Sequence, residues 1–275
     1  LLCTPLLALL LASCASSLPP PAQRGQHMDA LASAHNWQKL RVPTDRFVLT
    51  AYAPAPPVKA QSLTIYIEGD GLAWMSRSLP SDDPTPNNPI GLELALRHPG
   101  SAVAYLGRPC QNIDPQDWNN CTDNYWTRRR FSPEVIEASN QSISVLKART
   151  GAEQLILVGY SGGAAIAALV AARRQDVSRF VSVAGNLDTS AWTSLHHIEA
   201  LTGSLNPADE WPRLQHISQM HFVGGKDTNI TPEIVNAYRM HFPAGKRPET
   251  RVLPDFNHAC CWLEQWPALM DEAMP

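Results

Sequence analysis

Residues 155–163 read LILVGYSGG, and the small-residue segment AAIAALV follows directly at 164–170. The apolar run predicts a buried strand, and the alanine-rich segment predicts a helix packed closely against it. Between them lies the pattern G-x-S-x-G, in which Gly159 and Gly163 flank Ser161. Side chains at both glycines would collide with the neighbouring strand and helix. This order therefore predicts a tight strand-to-helix turn that holds Ser161 in a strained conformation above a sheet edge.

Short apolar runs alternate with longer helical patterns along the rest of the chain, which predicts an α/β protein with a mostly parallel sheet and crossover helices. The predicted strands are residues 46–53, 63–68, 102–106, 155–159, 180–183, 220–223 and 250–253. The predicted helices are residues 90–97, 133–149, 162–174, 232–241 and 259–270. A loop at 74–89 and a small lid-like insertion at 186–213 interrupt the alternation.

Two polar residues follow later predicted strands. Asp227 lies after the strand at 220–223, and His258 lies between the last strand and the last helix. A serine hydroxyl is a weak nucleophile at neutral pH, so it needs a base within hydrogen-bond reach and an acid that orients the base. We predict that His258 and Asp227 fill these roles for Ser161. Asp188 is the alternative acid, and Asp255 is predicted to be a turn residue.

The order Ser161, Asp227, His258, together with the glycine turn around the serine, resembles the α/β-hydrolase superfamily over about residues 45–272. The resemblance implies helices on both faces of the sheet and cleavage of an ester through an acyl-enzyme, with no cofactor. Thioesterase, peptidase and acyltransferase chemistry use the same machinery and stay open. A lipid-anchored binding protein without catalysis is the alternative from another class.

The segment at 63–71, LTIYIEGDG, is a predicted strand that runs into a glycine turn. It is similar to the His-Gly loop of lipases and esterases, with Glu68 in place of the histidine. The likeness implies that the backbone amide of Gly162 and that of Asp70 or Gly71 stabilise the oxyanion of the transition state. The carboxylates of Glu68 and Asp70 are expected to lie in a surface turn or to brace this loop by a hydrogen bond.

The N-terminal residues resemble a bacterial lipoprotein signal. The apolar run at 6–12 ends in the lipobox-like Leu-Ala-Ser-Cys at 11–14, which implies cleavage before Cys14 and a lipid on its thiol. The run is shorter than the about 20 residues that span a bilayer. We expect a lipid-anchored protein of the periplasm or outer membrane, with an ordinary secretory signal as the alternative. Residues 15–42 are predicted to be a flexible tether, and 43–275 the catalytic domain.

Export makes disulfide bonds plausible for the remaining cysteines. Cys110 and Cys121 flank a loop rich in Asn, Asp and Pro, and we predict a disulfide between them. The adjacent Cys260 and Cys261 could form a vicinal disulfide, remain thiols or join in one long-range bridge. The sequence has no CxxC pair and no HExxH helix, so we expect no metal site.

The formal net charge is -3 and the basic residues are scattered, so nucleic acid is not an expected partner. We expect a monomer that acts on a small-molecule or lipid ester and contacts the membrane through its anchor. The run of arginines at 128–130 is predicted to be a solvated turn, and the histidines at 196–197 a lid surface. Aromatic side chains near the predicted loops could line an acyl pocket, but core packing is the expected role; they are Trp74, Trp118, Tyr125, Trp126 and Trp192.

Overall fold

The computed structural model describes residues 18–274, which contain an eight-stranded sheet with the strand order β1-β2-β4-β3-β5-β6-β7-β8. The strands are β1 (Trp37–Pro43), β2 (Val48–Pro54), β3 (Ser62–Ile67), β4 (Val103–Leu106), β5 (Gln154–Tyr160), β6 (Val177–Val183), β7 (Ser218–Gly224) and β8 (Glu249–Leu253). Strand β2 is antiparallel to β1 and β4, and the other neighbouring strands are parallel. The predicted mostly parallel sheet is confirmed.

Helices cover both faces of this sheet. They are α1 (Pro21–Ala34), α2 (Ile90–Leu96), α3 (Pro133–Thr150), α4 (Gly162–Ala171), α5 (Thr189–Leu195), α6 (Trp211–Leu214), α7 (Pro232–Met240) and α8 (Trp262–Ala273). Alternate residues of β3 serve two separate cores, because successive side chains of a strand point to opposite faces. Leu63 and Ile65 pack with α3 and α4, whereas Tyr66 packs with Trp262 and Trp266 of α8.

The N-terminal segment corrects one prediction. Residues 21–42 are not a tether, because α1 docks on the sheet and β1 pairs along its whole length with β2. Met28 and Ala32 are each 1% exposed and anchor α1 in the core beside α2 and α8. The folded unit therefore begins before residue 43. The predicted signal peptide at 1–14, with Cys14, lies outside the described residues.

The insertion between β6 and β7 contains the short helices α5 and α6, with a 3-10 turn at Pro207–Glu210. No helix in the part of the chain from 18 to 274 is long and apolar enough to cross a membrane. Cys110 and Cys121 form a disulfide, with Cα atoms 5.7 Å apart, as predicted. Cys260 and Cys261, whose pairing the sequence left open, are joined to each other.

Candidate active site

The turn between β5 and α4 holds Ser161 with φ 51° and ψ -121°. This positive φ is rare for a residue with a side chain and marks local strain at functional sites. Glycine is required on either side: a Cβ on Gly159 would lie 2.3 Å from Ala164 Cα, and one on Gly163 would lie 2.2 Å from the Ile67 carbonyl oxygen. The close packing of strand, helix and neighbouring loop therefore produces the predicted strand-to-helix turn.

Three side chains converge at the carboxyl ends of the parallel strands. The Oγ of Ser161 lies 3.0 Å from Nε2 of His258, and Nδ1 of His258 lies 2.8 Å from Oδ2 of Asp227. An ionised carboxylate only accepts hydrogen bonds, so Nδ1 carries the proton and donates to Asp227. The lone pair of Nε2 then faces Ser161 Oγ and can accept the hydroxyl proton of Ser161. The sequence-predicted residues thus stand in hydrogen-bond order.

Backbone amides of the following turn hold the carboxylate of Asp227 in place. Oδ1 of Asp227 accepts hydrogen bonds from the amides of Asn229 (2.8 Å) and Ile230 (2.9 Å), and its side chain has no exposed surface. The alternative acid, Asp188, instead caps α5 through the amides of Ser190 and Ala191. Asp227, and not Asp188, is therefore the carboxylate that orients His258.

The loop that carries His258 is held from two sides. Its carbonyl oxygen accepts hydrogen bonds from the Tyr160 hydroxyl (3.1 Å) and from Nε1 of Trp262 (3.0 Å). The side chain of Asn257 accepts from the amides of Ala259 and Cys260. This bonding explains why α8 begins at Trp262 rather than at residue 259. Asp255 is exposed and pairs with a lysine, in keeping with the predicted turn role.

The predicted oxyanion loop passes beside the serine. A Cβ on Gly69 would lie 3.4 Å from Ser161 Cβ, and one on Gly162 would fall on the Asp70 carboxylate. Within residues 18–274 the amides of Asp70, Gly71 and Gly162 donate no hydrogen bond. These groups are therefore available to an oxygen bound next to Ser161.

Glu68 explains how the loop is held without a histidine. Its carboxylate is 1% exposed and accepts hydrogen bonds from the amides of Gly69 (2.9 Å), Gly91 (3.1 Å) and Leu92 (3.2 Å) and from the Tyr105 hydroxyl (3.2 Å). Burial raises the pKa of Glu68, and these four bonds oppose the rise. Glu68 ties the loop to the start of α2. The hydrogen-bonding alternative is correct, and the surface-turn alternative is wrong.

The side chain of Asp70 belongs to a buried ion cluster that the sequence did not reveal. It pairs with both Arg108 and Arg130, whose side chains are only 4% and 5% exposed. Burial alone would raise the pKa of Asp70, but the charges of Arg130 and Arg108 outweigh it and lower the pKa. The prediction of a solvated arginine turn is therefore wrong for Arg130, although Arg128 and Arg129 are exposed.

A cleft of about 350 Å³ opens above the serine. Its lining comprises Glu68, Gly69, Asp70, Gly71, Leu72, Pro86, Asn87, Asn88, Ile90, Tyr160, Ser161, Asn229, His258 and Ala259. The five aromatic residues singled out from the sequence do not line it. Tyr125 and Trp126 are buried in the core and Trp118 packs against that core, as expected, whereas Trp74 is exposed.

Asn229 is a cleft residue that no sequence motif indicated. Its Nδ2 lies 3.3 Å from His258 Nε2, and its Oδ1 accepts a hydrogen bond from Nε1 of Trp192 (3.1 Å). His196 also lies within 2.7 Å of the Asn229 carbonyl oxygen. The prediction of a lid surface is therefore wrong for His196, which contacts the turn that follows β7, whereas His197 is exposed. No three metal-ligating side chains from residues 18–274 are grouped to hold a metal ion.

The fold is shared with many solved structures. An esterase from Pyrococcus furiosus aligns with a TM-score of 0.60 at 13% identity, covering 90% of this chain and 92% of its own. An α/β serine hydrolase without a lid from Xanthomonas campestris aligns with a TM-score of 0.52 at 13% identity. The alignment covers 86% of this chain and 93% of that hydrolase. An acylaminoacyl peptidase from Pyrococcus horikoshii aligns with a TM-score of 0.61 at 10% identity, covering 88% of this chain and 42% of the peptidase.

No protein-family model and no curated protein matches the sequence. At this level of identity the likeness to solved structures concerns the fold, and it does not assign an activity. The parallel sheet, the glycine turn around Ser161 and the structural neighbours all agree. We therefore identify this chain as a protein of the α/β-hydrolase fold.

Proposed function

We propose that the protein is a serine hydrolase that cleaves carboxylic esters through an acyl-enzyme. One observation carries the proposal: Ser161 Oγ, the His258 ring and the Asp227 carboxylate form a continuous chain with contacts of 3.0 and 2.8 Å. A hydroxyl in this arrangement has a base within reach and an acid that fixes the ring of that base.

In the first step, His258 Nε2 takes the hydroxyl proton while Ser161 Oγ bonds to the acyl carbon. The carbonyl electron pair moves onto its oxygen, where the amides of Gly162 and Asp70 donate hydrogen bonds. Asp227 stabilises the imidazolium that forms. The intermediate then collapses, and the leaving alcohol takes the proton from Nε2. Water repeats these steps on the acyl-enzyme and releases the acid.

The cleft supports a small substrate. Its volume of about 350 Å³ is near the lower end of the range for ligand pockets in proteins. This small volume matches short acyl groups better than long alkyl chains. Peptidase, thioesterase and acyltransferase activity would use the same three side chains. Assays with different substrates distinguish these activities from esterase activity.

A series of p-nitrophenyl esters from acetyl to dodecanoyl tests the proposal. We expect turnover to be fastest with the shortest chains, and we expect Ser161→Ala to lower kcat by at least about 10⁴-fold. Asp255→Asn is the matched control, because its carboxylate is exposed and pairs with Lys226 rather than with Ser161 or His258. Turnover that survives in folded Ser161→Ala, or none with any acyl donor in the wild type, would refute it.

We further propose that the protein is lipid-anchored in the periplasm or outer membrane through Cys14. The lipobox-like residues at 11–14 support this proposal, and a disulfide between Cys110 and Cys121 suits an oxidising compartment. Wild-type protein produced in bacteria should incorporate radiolabelled palmitate, and Cys14→Ser should not. Equal labelling of both would contradict the anchor.

A further inference from the structure

Asn229 occupies a rigid position beside the catalytic base. Its amide hydrogen bonds to Asp227 Oδ1 at 2.8 Å, and its carbonyl oxygen lies 2.7 Å from His196 Nε2. The Asp227 side chain and His196 of the insertion therefore fix the backbone of this turn on two sides. A side chain carried on such a backbone is well placed for specific recognition.

The orientation of the Asn229 amide follows from its partner. The indole Nε1 of Trp192 can only donate a hydrogen bond, so the atom it contacts at 3.1 Å is Oδ1. Nδ2 must then point the other way, where it lies 3.3 Å from His258 Nε2. Trp192 thus orients Asn229 so that Nδ2, a hydrogen-bond donor, faces the reacting atoms.

The position of these donors identifies which half of an ester they meet. His258 Nε2 delivers its proton to the leaving alcohol oxygen, which must therefore come within hydrogen-bond reach of Nε2. Asn229 Nδ2 flanks the same nitrogen, on which the Ser161 hydroxyl also converges. A hydroxyl oxygen of the alcohol half, next to the ester linkage, is thus within reach of Asn229.

Two more asparagines make the cleft suitable for hydroxyl groups. Asn87 and Asn88 line it, where Asn87 is half-buried and Asn88 is exposed. An amide offers both donors and acceptors, which is what a hydroxyl group requires.

We propose, on the basis of the esterase function above, that Asn229 binds the alcohol half of the substrate and selects esters of polyhydroxy alcohols. The substrate class is a short-chain ester of an alcohol with a second hydroxyl next to the esterified one, as in glycerol or a sugar. Asn229 donates to the free hydroxyl oxygen next to the esterified one, and Trp192 is a positioning residue that acts through Asn229.

The test compares two esters that differ in their hydroxyl groups, glycerol 1-monoacetate and propyl acetate, with acetate release as the readout. We expect wild type to prefer the glycerol ester in kcat/KM. Asn229→Ala should lower kcat/KM for the glycerol ester by about tenfold, the worth of one hydrogen bond to a neutral group, and for propyl acetate by less than about threefold. Trp192→Phe removes the indole donor but keeps a ring. It should also lower kcat/KM more for the glycerol ester than for propyl acetate, by a smaller factor than Asn229→Ala does.

Asn119→Ala is the control, since this asparagine is exposed and outside the cleft. Circular dichroism establishes that each variant is folded. Equal losses on both esters, or no loss in Asn229→Ala, would overturn the inference. Wild type that cleaves p-nitrophenyl acetate but shows no preference for the glycerol ester would also overturn it while leaving the esterase proposal intact. Absence of hydrolysis of every ester would reject both.

Discussion

The substitution Asp70→Asn tests whether the buried ion cluster holds the glycine turn at 69–71, the loop that we propose binds the oxyanion. The change keeps the shape and the backbone amide of Asp70 but removes the charge that faces Arg108 and Arg130. Their side chains are 4% and 5% exposed, so two guanidinium groups would remain buried without a carboxylate. Of the hydrogen bonds that would remain, Arg108 donates one to the backbone carbonyl oxygen of Arg130 at 2.8 Å.

The magnitude follows from burial. Removing one partner of a buried ion pair costs about 3–5 kcal/mol of unfolding free energy. The side chain of Asp70 is 23% exposed to the cleft, where water can reach the cluster. We therefore expect the lower end of the range, about 3 kcal/mol. Because the loop amide should also lose its fixed position, kcat for an ester should fall by up to about 100-fold, with a smaller change in KM.

Urea denaturation followed by tryptophan fluorescence measures the stability, and steady-state hydrolysis of p-nitrophenyl acetate measures the rate. The matched control is Asp255→Asn, which removes the same charge from an exposed pair with Lys226 and should leave both quantities unchanged. If Asp70→Asn unfolds at the same urea concentration as wild type, the cluster does not anchor the loop. A normal kcat in a clearly destabilised variant would separate the cluster from catalysis.

Three further predictions concern buried residues. Burial lowers the pKa of His221 from 6.5 to about 3, so the unfolded chain binds the proton first and stability falls as the pH drops from 6.5 toward 3. Between pH 7 and pH 5, the free energy of unfolding of wild type, measured by urea titration, should fall by about 2 kcal/mol more than that of His221→Gln. Equal decreases in the two proteins would contradict this prediction. Glu68→Gln turns amide hydrogens toward backbone donors, so it should lower the free energy of unfolding by about 1–3 kcal/mol and lower kcat. Unchanged stability and rate would show that Glu68 does not brace the loop. Met28→Ala should cost about 2–3 kcal/mol in thermal unfolding, whereas an unchanged melting temperature would mean that α1 is not docked.

The central strands and the glycine turn around Ser161 could be predicted from the sequence because their side chains are buried on both faces and leave long apolar runs. All predicted strands occur in the sheet, although their ends differ by up to three residues. The glycines around Ser161 mark a backbone that no other residue type fits, so that turn was also readable. Chain order then indicated that Asp227 and His258 lie close to Ser161, because parallel strands end at the same edge.

Other features depend on tertiary contacts and leave no such pattern. Helix α1 buries only a few side chains, such as Met28, and lies in a polar, proline-rich context that is typical of a tether. Arg130 belongs to a charged triplet, and its burial depends on Asp70, which is 60 positions away. Asn229 is a single asparagine in a turn. Its proximity to His258 arises from the packing of α5 against the loop after β7, and no local motif encodes that contact.

The central claim is that His258 and Asp227 make the hydroxyl of Ser161 a nucleophile. A fluorophosphonate probe followed by peptide mass spectrometry tests it most directly, since the probe forms a covalent bond only with an activated hydroxyl. We predict one adduct, on Ser161, which is absent from Ser161→Ala and strongly slowed in His258→Ala. A folded wild-type protein that stays unmodified, or one that carries the probe on another residue, would contradict the account.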